Sequence, residues 1–415
     1  MGFDGCRRPP QSGYDRASIM SEALTQGNQK SGEGLGVGLM AVLACTGFFV
    51  GGVMHTHSPV LGAMAGAFSV DTRTIGWVAT LTFSGYFFGL LFLVPLGDRI
   101  NKRHLMLGQL FGLITATFTV AFSESLWLAV GASFVIGASV CLTQNLIPIA
   151  VGRCAPAERG KVVGTVLTAM FLGFMFNRVA SGIIGQYLGW RASFLITAMM
   201  LCLLAVAVYL KLPSVAPTTT VSYPALLRSI LSLYGAQRAL RLTSATQFFL
   251  AIGYGGFWAV LAPMLLLLHG MGPIEAGFMA IPGASGALIS RAAGRWMDRR
   301  GARPVVIAST WLYIASFVVL GFGAVSIWAI IIGAALMDCG IRGAIVANST
   351  LVASVDADAR NRSNTIFGAH NWGGNSVGAF LASITFATVG WVAVCVMFIA
   401  AAAVSLVFQW KLARA

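Results

Sequence analysis

Gly294-Arg295-Trp296-Met297-Asp298-Arg299-Arg300-Gly301-Ala302-Arg303-Pro304 is a short charged turn set between two long apolar runs. An imperfect copy stands earlier in the chain, Val94-Pro95-Leu96-Gly97-Asp98-Arg99-Ile100-Asn101-Lys102-Arg103, again between two apolar runs. Asp98 precedes Asp298 by 200 residues. A carboxylate, an arginine beside it and a basic residue five positions on, repeated at half the chain length, mark a duplicated domain.

Composition fixes the class of both copies. Of 415 residues, 57% are hydrophobic and only 10% are charged, a balance that a water-soluble domain does not carry. Apolar runs of about 18 residues or more cross the roughly 30 Å hydrocarbon core as helices, because lipid leaves every backbone polar group to be satisfied within the span. The chain is therefore expected to be an all-α polytopic membrane protein. The net charge of +14 would suggest nucleic acid in a soluble protein, but its distribution argues otherwise. Once the crossings are counted, only Arg73 and Arg191 of the 27 basic residues fall in loops on one side, and only Arg178 and Arg342 lie deep within helices. The others gather on the opposite side, as the positive-inside rule describes. No nucleic-acid partner is expected. The seven cysteines (Cys6, Cys45, Cys141, Cys154, Cys202, Cys339 and Cys395) lack metal-like spacing and read as small apolar fillers.

The pattern predicts twelve crossings in two six-helix bundles. A polar tail, 1–34, is followed by an N-terminal bundle over 35–212, a linker over 213–242 rich in Pro and Thr, a C-terminal bundle over 243–411 and a short end at 412–415. The first crossing, about 35–57, ends at Met54-His55-Thr56-His57-Ser58-Pro59, which places both histidines near its outer end. The eighth is read as a single helix over about 274–296. Both termini are expected in the cytoplasm of a plasma-membrane protein, in the inner membrane if the source is Gram-negative.

Six plus six helices, a basic central linker and a charged turn after helices 2 and 8 resemble the major facilitator superfamily. Residues 294–303 match its signature Gly-x-x-x-Asp-Arg-x-Gly-x-Arg in full; in the first copy Val94 and Asn101 replace the two glycines. Gly76-Trp77-Val78-Ala79-Thr80-Leu81-Thr82, Pro156-Ala157-Glu158-Arg159-Gly160, Arg178-Val179-Ala180-Ser181-Gly182 and Asp338-Cys339-Gly340 are similar to a bacterial branch of drug:proton antiporters and arabinose-efflux-like carriers. The first crossing departs from that branch, with Val53 to Pro59 where an Asn-x-Tyr-x-x-Gln-Pro pattern is common.

The resemblance implies alternating access. Gly97, Asp98, Arg99 and Arg103, with Gly294, Asp298, Arg299, Gly301 and Arg303, would form gating turns. Asp98 would reach the start of helix 11 near Ser363-Asn364, and Asp298 the start of helix 5, where exposed N–H groups and the helix dipole favour an anion. Charges inside the membrane are functional by default, so Asp338, Arg342 and Arg178 are expected to form a proton-coupling or charge network. Asp338 and Arg342, spaced i and i+4, share a helix face and can also simply neutralise one another. Candidates for a substrate cavity are His55, His57, Gln144, Asn145, Asn177, Gln247, Tyr254, Trp258, Asn348, His370, Asn371, Trp372 and Asn375, polar and aromatic groups suited to an amphipathic ligand. Histidine also titrates in the useful range. No metal site and no cofactor are expected, and no complete Gly-x-x-x-x-Gly-Lys-Ser/Thr loop is present to support ATP hydrolysis.

The expected function is proton-coupled efflux of small amphipathic compounds by a monomer whose partners are a small-molecule substrate, protons and the lipid bilayer. Import of a metabolite such as an organic acid is the alternative within transport. A non-transporting membrane sensor or scaffold is the alternative of another class.

Overall fold

A computed structural model of the chain describes residues 36–414 except 218, 220, 284 and 355–358. The expected polar tail therefore lies outside the described residues. Among the described residues the secondary structure is entirely helical.

The first crossing shows how the sequence departs from a plain span. Helix α1a runs Val37–Val53 and α1b Leu61–Ala67, and the seven residues between them tighten into successive turns. Pro59 has no N–H to continue an α-helix, and a residue preceding proline disfavours the helical conformation. The backbone closes instead with i to i−3 bonds, His55 N to Gly52 O, Thr56 N to Val53 O and Ser58 N to His55 O. Helix α5, Arg159–Tyr187, satisfies what the break leaves over. Asn177 Nδ2 donates to Gly52 O at 2.9 Å and to Thr56 Oγ1 at 2.7 Å, while Ser181 Oγ donates to Thr56 O at 2.6 Å. His55 and His57 consequently do not sit at the outer end of the crossing; both are buried in its interior.

The remaining crossings of the N-terminal half are α2 (Thr72–Arg99), α3 (Lys102–Ala121), α4 (Leu126–Val151) and α6 (Trp190–Lys211). The stretch after α6 is not wholly irregular. It carries an amphipathic linker helix, Tyr223–Ala236, and α7 begins at once as Arg238–His269. The eighth crossing is interrupted by a turn at Met279, which separates α8a (Pro273–Phe278) from the helical stretches α8b (Ala280–Gly283) and α8c (Ser285–Arg300). Helices α9 (Ala302–Gly321), α10 (Ile327–Ala353), α11 (Arg360–Thr388) and α12 (Trp391–Ala413) complete the C-terminal half.

The two halves repeat one packing plan. Helix α1a lies on α5 as α7 lies on α11, α2 pairs with α4 as α8c pairs with α10, and α3 pairs with α6 as α9 pairs with α12. The repeat reaches individual residues: Gly173 of α5 lies against Phe48 O, and Gly378 of α11 against Ile252 O, each too close for a Cβ. Close backbone approach at small residues is how membrane helices gain packing energy. The charged turns, the linker and the C-terminal end share one face of this body, here termed the basic face.

Contact between the halves is one-sided. Away from the basic face, α2 over Thr72–Phe88 packs along α11, α8a packs on α5 and α1b touches α7. Ser84 Oγ meets Ser376 Oγ at 2.6 Å, Ser376 Oγ also lies 3.1 Å from Thr80 O, and Trp77 packs on Phe380 with centroids 5.0 Å apart. Towards the basic face, Val94–Arg99 and α8c make no comparable contact with α11 and α5. A cavity of about 350 Å³ opens there between Asp98, Gln144 and Asn145 of one half and Arg362, Thr365 and Trp372 of the other. The molecule is sealed at one end and parted at the basic end.

Candidate functional site

At the middle of the interface between the halves lie the charges that the sequence places deepest. Arg178 is nine residues before the end of α5 and Asp338 eleven after the start of α10. At 1.5 Å per residue these are roughly 14 and 17 Å in from the sealed side, close to the midplane of a core roughly 30 Å thick.

Arg342 Nε donates to Asp338 Oδ2 at 3.5 Å, and Arg342 Nη2 to the Tyr254 hydroxyl of α7 at 3.4 Å. The same guanidinium lies over the Phe171 ring of α5, 5.1 Å from its centroid. Arg178 crosses the interface in the other direction. Its guanidinium stacks 3.7 Å from the Trp258 ring centroid, and its Nη2 donates to His55 Nδ1 at 3.1 Å. Because a guanidinium only donates, that nitrogen of His55 carries no proton. Phe174 packs edge-on to His55 at 5.3 Å, and Ser58 Oγ donates to Trp258 O at 3.3 Å. His57 sits in the same buried neighbourhood, with its ring near Phe83.

Access to this cluster is asymmetric. Arg178 is 5% exposed and Asp338 3%, whereas the Arg342 side chain is 24% exposed. The ion pair thus leaves its cation partly exposed and keeps its carboxylate sealed. Glycines on α8 make the enclosure possible, since a Cβ on Gly286 would stand 2.7 Å from Arg342 Cγ and would meet the Asp338 carboxylate.

Comparison with known proteins fits this geometry. The Major Facilitator Superfamily profile matches residues 43–293 and 243–414. The chain belongs to that superfamily. This facilitator is 29% identical over 356 residues to the uncharacterized transporter YgaY of Escherichia coli O157:H7, covering 85% of this chain and 90% of that one. Its fold resembles the nucleoside transporter NupG, with a TM-score of 0.70 at 15% identity over 90% of this chain and 98% of that one. It also resembles a bacterial homologue of the human lysosomal transporter Spinster in an inward-facing, unoccupied conformation, with a TM-score of 0.68 at 16% identity over 91% of this chain and 96% of that one. The protein is a membrane transporter and not an enzyme.

The other candidate residues of this facilitator fall into separate groups. Gln247 Nε2 donates to Asn371 Oδ1 at 2.9 Å, Asn348 Nδ2 to Gln247 Oε1 at 3.1 Å, and Asn375 Nδ2 to Asn371 O at 2.8 Å. This chain of amides ties α7, α10 and α11 together within the C-terminal half. Gln144 Nε2 donates to the Tyr86 hydroxyl at 2.7 Å, and Tyr86 packs on Trp372 at 4.5 Å, so these two candidates line the parted end. Asn145 lies beneath Gly97, its Oδ1 3.2 Å from where a Cβ would stand. His370 is directed away from the central cluster. Its Nδ1 bonds Ile366 O at 2.9 Å, and its Nε2 lies 3.1 Å from the Tyr234 hydroxyl of the linker helix.

The charged turns serve each half internally. Arg103 Nη2 donates to Tyr209 O near the end of α6 at 2.7 Å, and Arg303 Nη2 to Leu412 O near the end of α12 at 2.9 Å. The same arginine of each copy thus caps carbonyls left over at a helix C-terminus. Gly301 has φ +81°, a conformation that favours glycine at this sharp turn. Asp298 and Arg299 are exposed, as is Arg99, while Gly294 faces open space. Asp98 lines the cavity opposite Asn361 and Asn364, 4.0 Å from Lys102 Nζ.

Residues that the sequence did not single out complete the site. Phe171 and Phe174 wall it, Tyr86 joins Gln144 and Trp372 at the parted end, and Ser84 and Ser376 hold the seal. Their only signal is a hydroxyl or ring within an apolar run, which packing explains equally well.

Proposed function

We propose that this facilitator is a proton-coupled secondary transporter that exports small amphipathic compounds by alternating access, with the basic face in the cytoplasm. The observation that carries the reading is Asp338, a carboxylate sealed at mid-depth between arginines drawn from the two halves. A buried carboxylate held by one cation and near a second changes its pairing when it takes or releases a proton, because breaking a buried pair costs about 3–5 kcal/mol. Since Arg178 belongs to one half and Arg342 to the other, such a change bears on how the halves sit together. Asp98 and Asp298 act as latches, docking on α11 and α5 when the basic end closes and standing apart from them in the open state. Aromatic walls around polar groups suit amphipathic substrates.

Proteoliposomes under an imposed pH gradient test the coupling. Asp338→Asn is expected to keep exchange of labelled substrate between equal pools while gradient-driven accumulation falls at least about tenfold. Undiminished accumulation in that variant refutes the role of Asp338.

A further inference from the structure

The central cluster is one negative charge short. Two guanidinium groups meet a single carboxylate, and Arg342 takes that carboxylate as its ion-pair partner. Arg178 is left with the neutral ring of His55, the indole face of Trp258, the Tyr254 hydroxyl and the longer-range attraction of the carboxylate that Arg342 holds. Its Nε is buried without a hydrogen-bond partner. Five N–H donors on a group that does not deprotonate demand more acceptors than these, and a buried cation without a full counter-charge carries a desolvation penalty of several kcal/mol.

Among the described residues no second acid supplies that charge: Asp338 alone lies in the interior of a crossing, while Asp71, Asp98, Glu124, Glu158, Glu275 and Asp298 fall in loops, charged turns or first turns of helices. The complement to Arg178 therefore has to arrive with a ligand. Arg342 is the more accessible of the two cations, its side chain 24% exposed while the carboxylate beside it is sealed. Its body has to match Phe171, Phe174, Tyr254 and Trp258, which surround the charges with ring faces and edges.

We infer that the cluster binds the single negative charge of a small amphipathic organic anion, with Arg178 as its principal partner and Arg342 as the cation it meets on entry. The inference rests on the transporter reading of this cluster and narrows its substrate class. One monovalent anion makes the charges balance and satisfies the Nε edge of Arg178 by a bidentate contact of the kind guanidinium groups favour. Neutral and cationic amphipaths of the same shape gain the ring contacts but leave Arg178 unpaired, and a cation adds repulsion.

The test is equilibrium binding to the full chain in lipid nanodiscs by titration calorimetry, with three probes of one shape. These are naphthalene-2-carboxylate, naphthalene-2-carboxamide and naphthalen-2-ylmethylammonium, with chloride titrated separately as the inorganic anion. The carboxylate is expected to bind at least about tenfold tighter than the other three. Arg178→Gln is expected to reduce that preference to less than about twofold, and Arg342→Gln to reduce it partly. The Arg342 side chain is partly exposed, so its variant keeps the test usable if Arg178→Gln does not yield monodisperse protein. Equal binding of the amide or the ammonium, chloride binding as tight as the carboxylate, no carboxylate binding at all, or a preference unchanged in the variants overturns the inference. Binding needs neither flux nor a gradient. A carboxylate preference without proton-driven flux therefore leaves the site standing and removes proton-coupled export, whereas coupled flux of neutral compounds without that preference does the reverse.

Discussion

Replacing Gly277 by alanine tests whether the contact between α8a and α5 belongs to one conformation only. A Cβ there would stand 2.7 Å from Arg178 O and 3.3 Å from Val179 Cα, backbone atoms that no rotamer change moves aside. Ordinary contact begins near 3.4 Å, so the helices must separate by several tenths of an ångström, an overpacking that costs about 1–3 kcal/mol. Gly277 and Arg178 lie in different halves, so the cost falls only on states in which this end is sealed. A free-energy difference of about 1–3 kcal/mol between two conformations changes their ratio by about 5- to 150-fold. Gly340 is the matched control. Its Cβ would stand 2.9 Å from Tyr313 N and 3.0 Å from Ser309 O, but α9 and α10 belong to one half and move together. Pulsed electron resonance between spin labels at Leu188 and Val389, in the sealed-side turns of the two halves, reads the ratio directly. Gly277→Ala is expected to raise the long-distance population there, and Gly340→Ala to lower thermal stability without altering it. An equal effect of both substitutions, or none at Gly277, would refute the one-sided seal.

Three further outcomes follow from the same geometry. Asp71 caps α2, its carboxylate accepting from Thr74 N at 2.9 Å, and the Thr74 hydrogen bonds hold it below the ordinary carboxylate range. Its contribution is present above the unfolded carboxyl pKa of about 4 and lost as pH falls through the lower folded value, so amide exchange in the first turn of α2 should quicken only under acid conditions. Asp71→Ala should remove about 1 kcal/mol and make that exchange fast at neutral pH as well. Arg303→Ala removes the bond to Leu412 O and is expected to cost about 1–1.5 kcal/mol, read as a lower melting temperature with unchanged label distances, because the bond lies within one half; a shifted distance distribution would count against that.

The duplication, the linker and the charged turns were legible because a charge run is rare in a chain only 10% charged. The pairing of Asp338 with Arg342 was legible because i and i+4 fix a helix face whatever the fold. The depth of His55 and His57 was not. Pro59 and the polar run before it read as the end of a span, and only the distant side chains Asn177 and Ser181, which take up Gly52 O and Thr56 O, let that broken backbone remain inside. The orientation of His370 towards Tyr234 was equally hidden, since it depends on where an amphipathic linker helix settles.

The places where the sequence resists a plain membrane reading are the places where the halves meet. Among the described residues nine helices are long and apolar enough to cross a bilayer, and the three crossings outside that set are the first, the eighth and the eleventh. The first is interrupted at 54–60, the eighth at Met279, and the eleventh is intact but loaded with His370, Asn371, Asn375 and Ser376. Each lies against the opposite half: α1b on α7, α8a on α5, α11 on α2. Irregular backbone and polar side chains survive at membrane depth only where protein or a cavity covers them, so these crossings face the interface and the smoother ones can face lipid. A helix that opens and closes against another half must also exchange partners without leaving a buried group unpaired. Short hydroxyl contacts such as Ser84 to Ser376 meet that demand better than interlocked apolar side chains, because a hydroxyl released on opening finds another acceptor in its own helix. The break in the first crossing, the turn in the eighth and the polar load of the eleventh thus follow from their place at the interface between the halves.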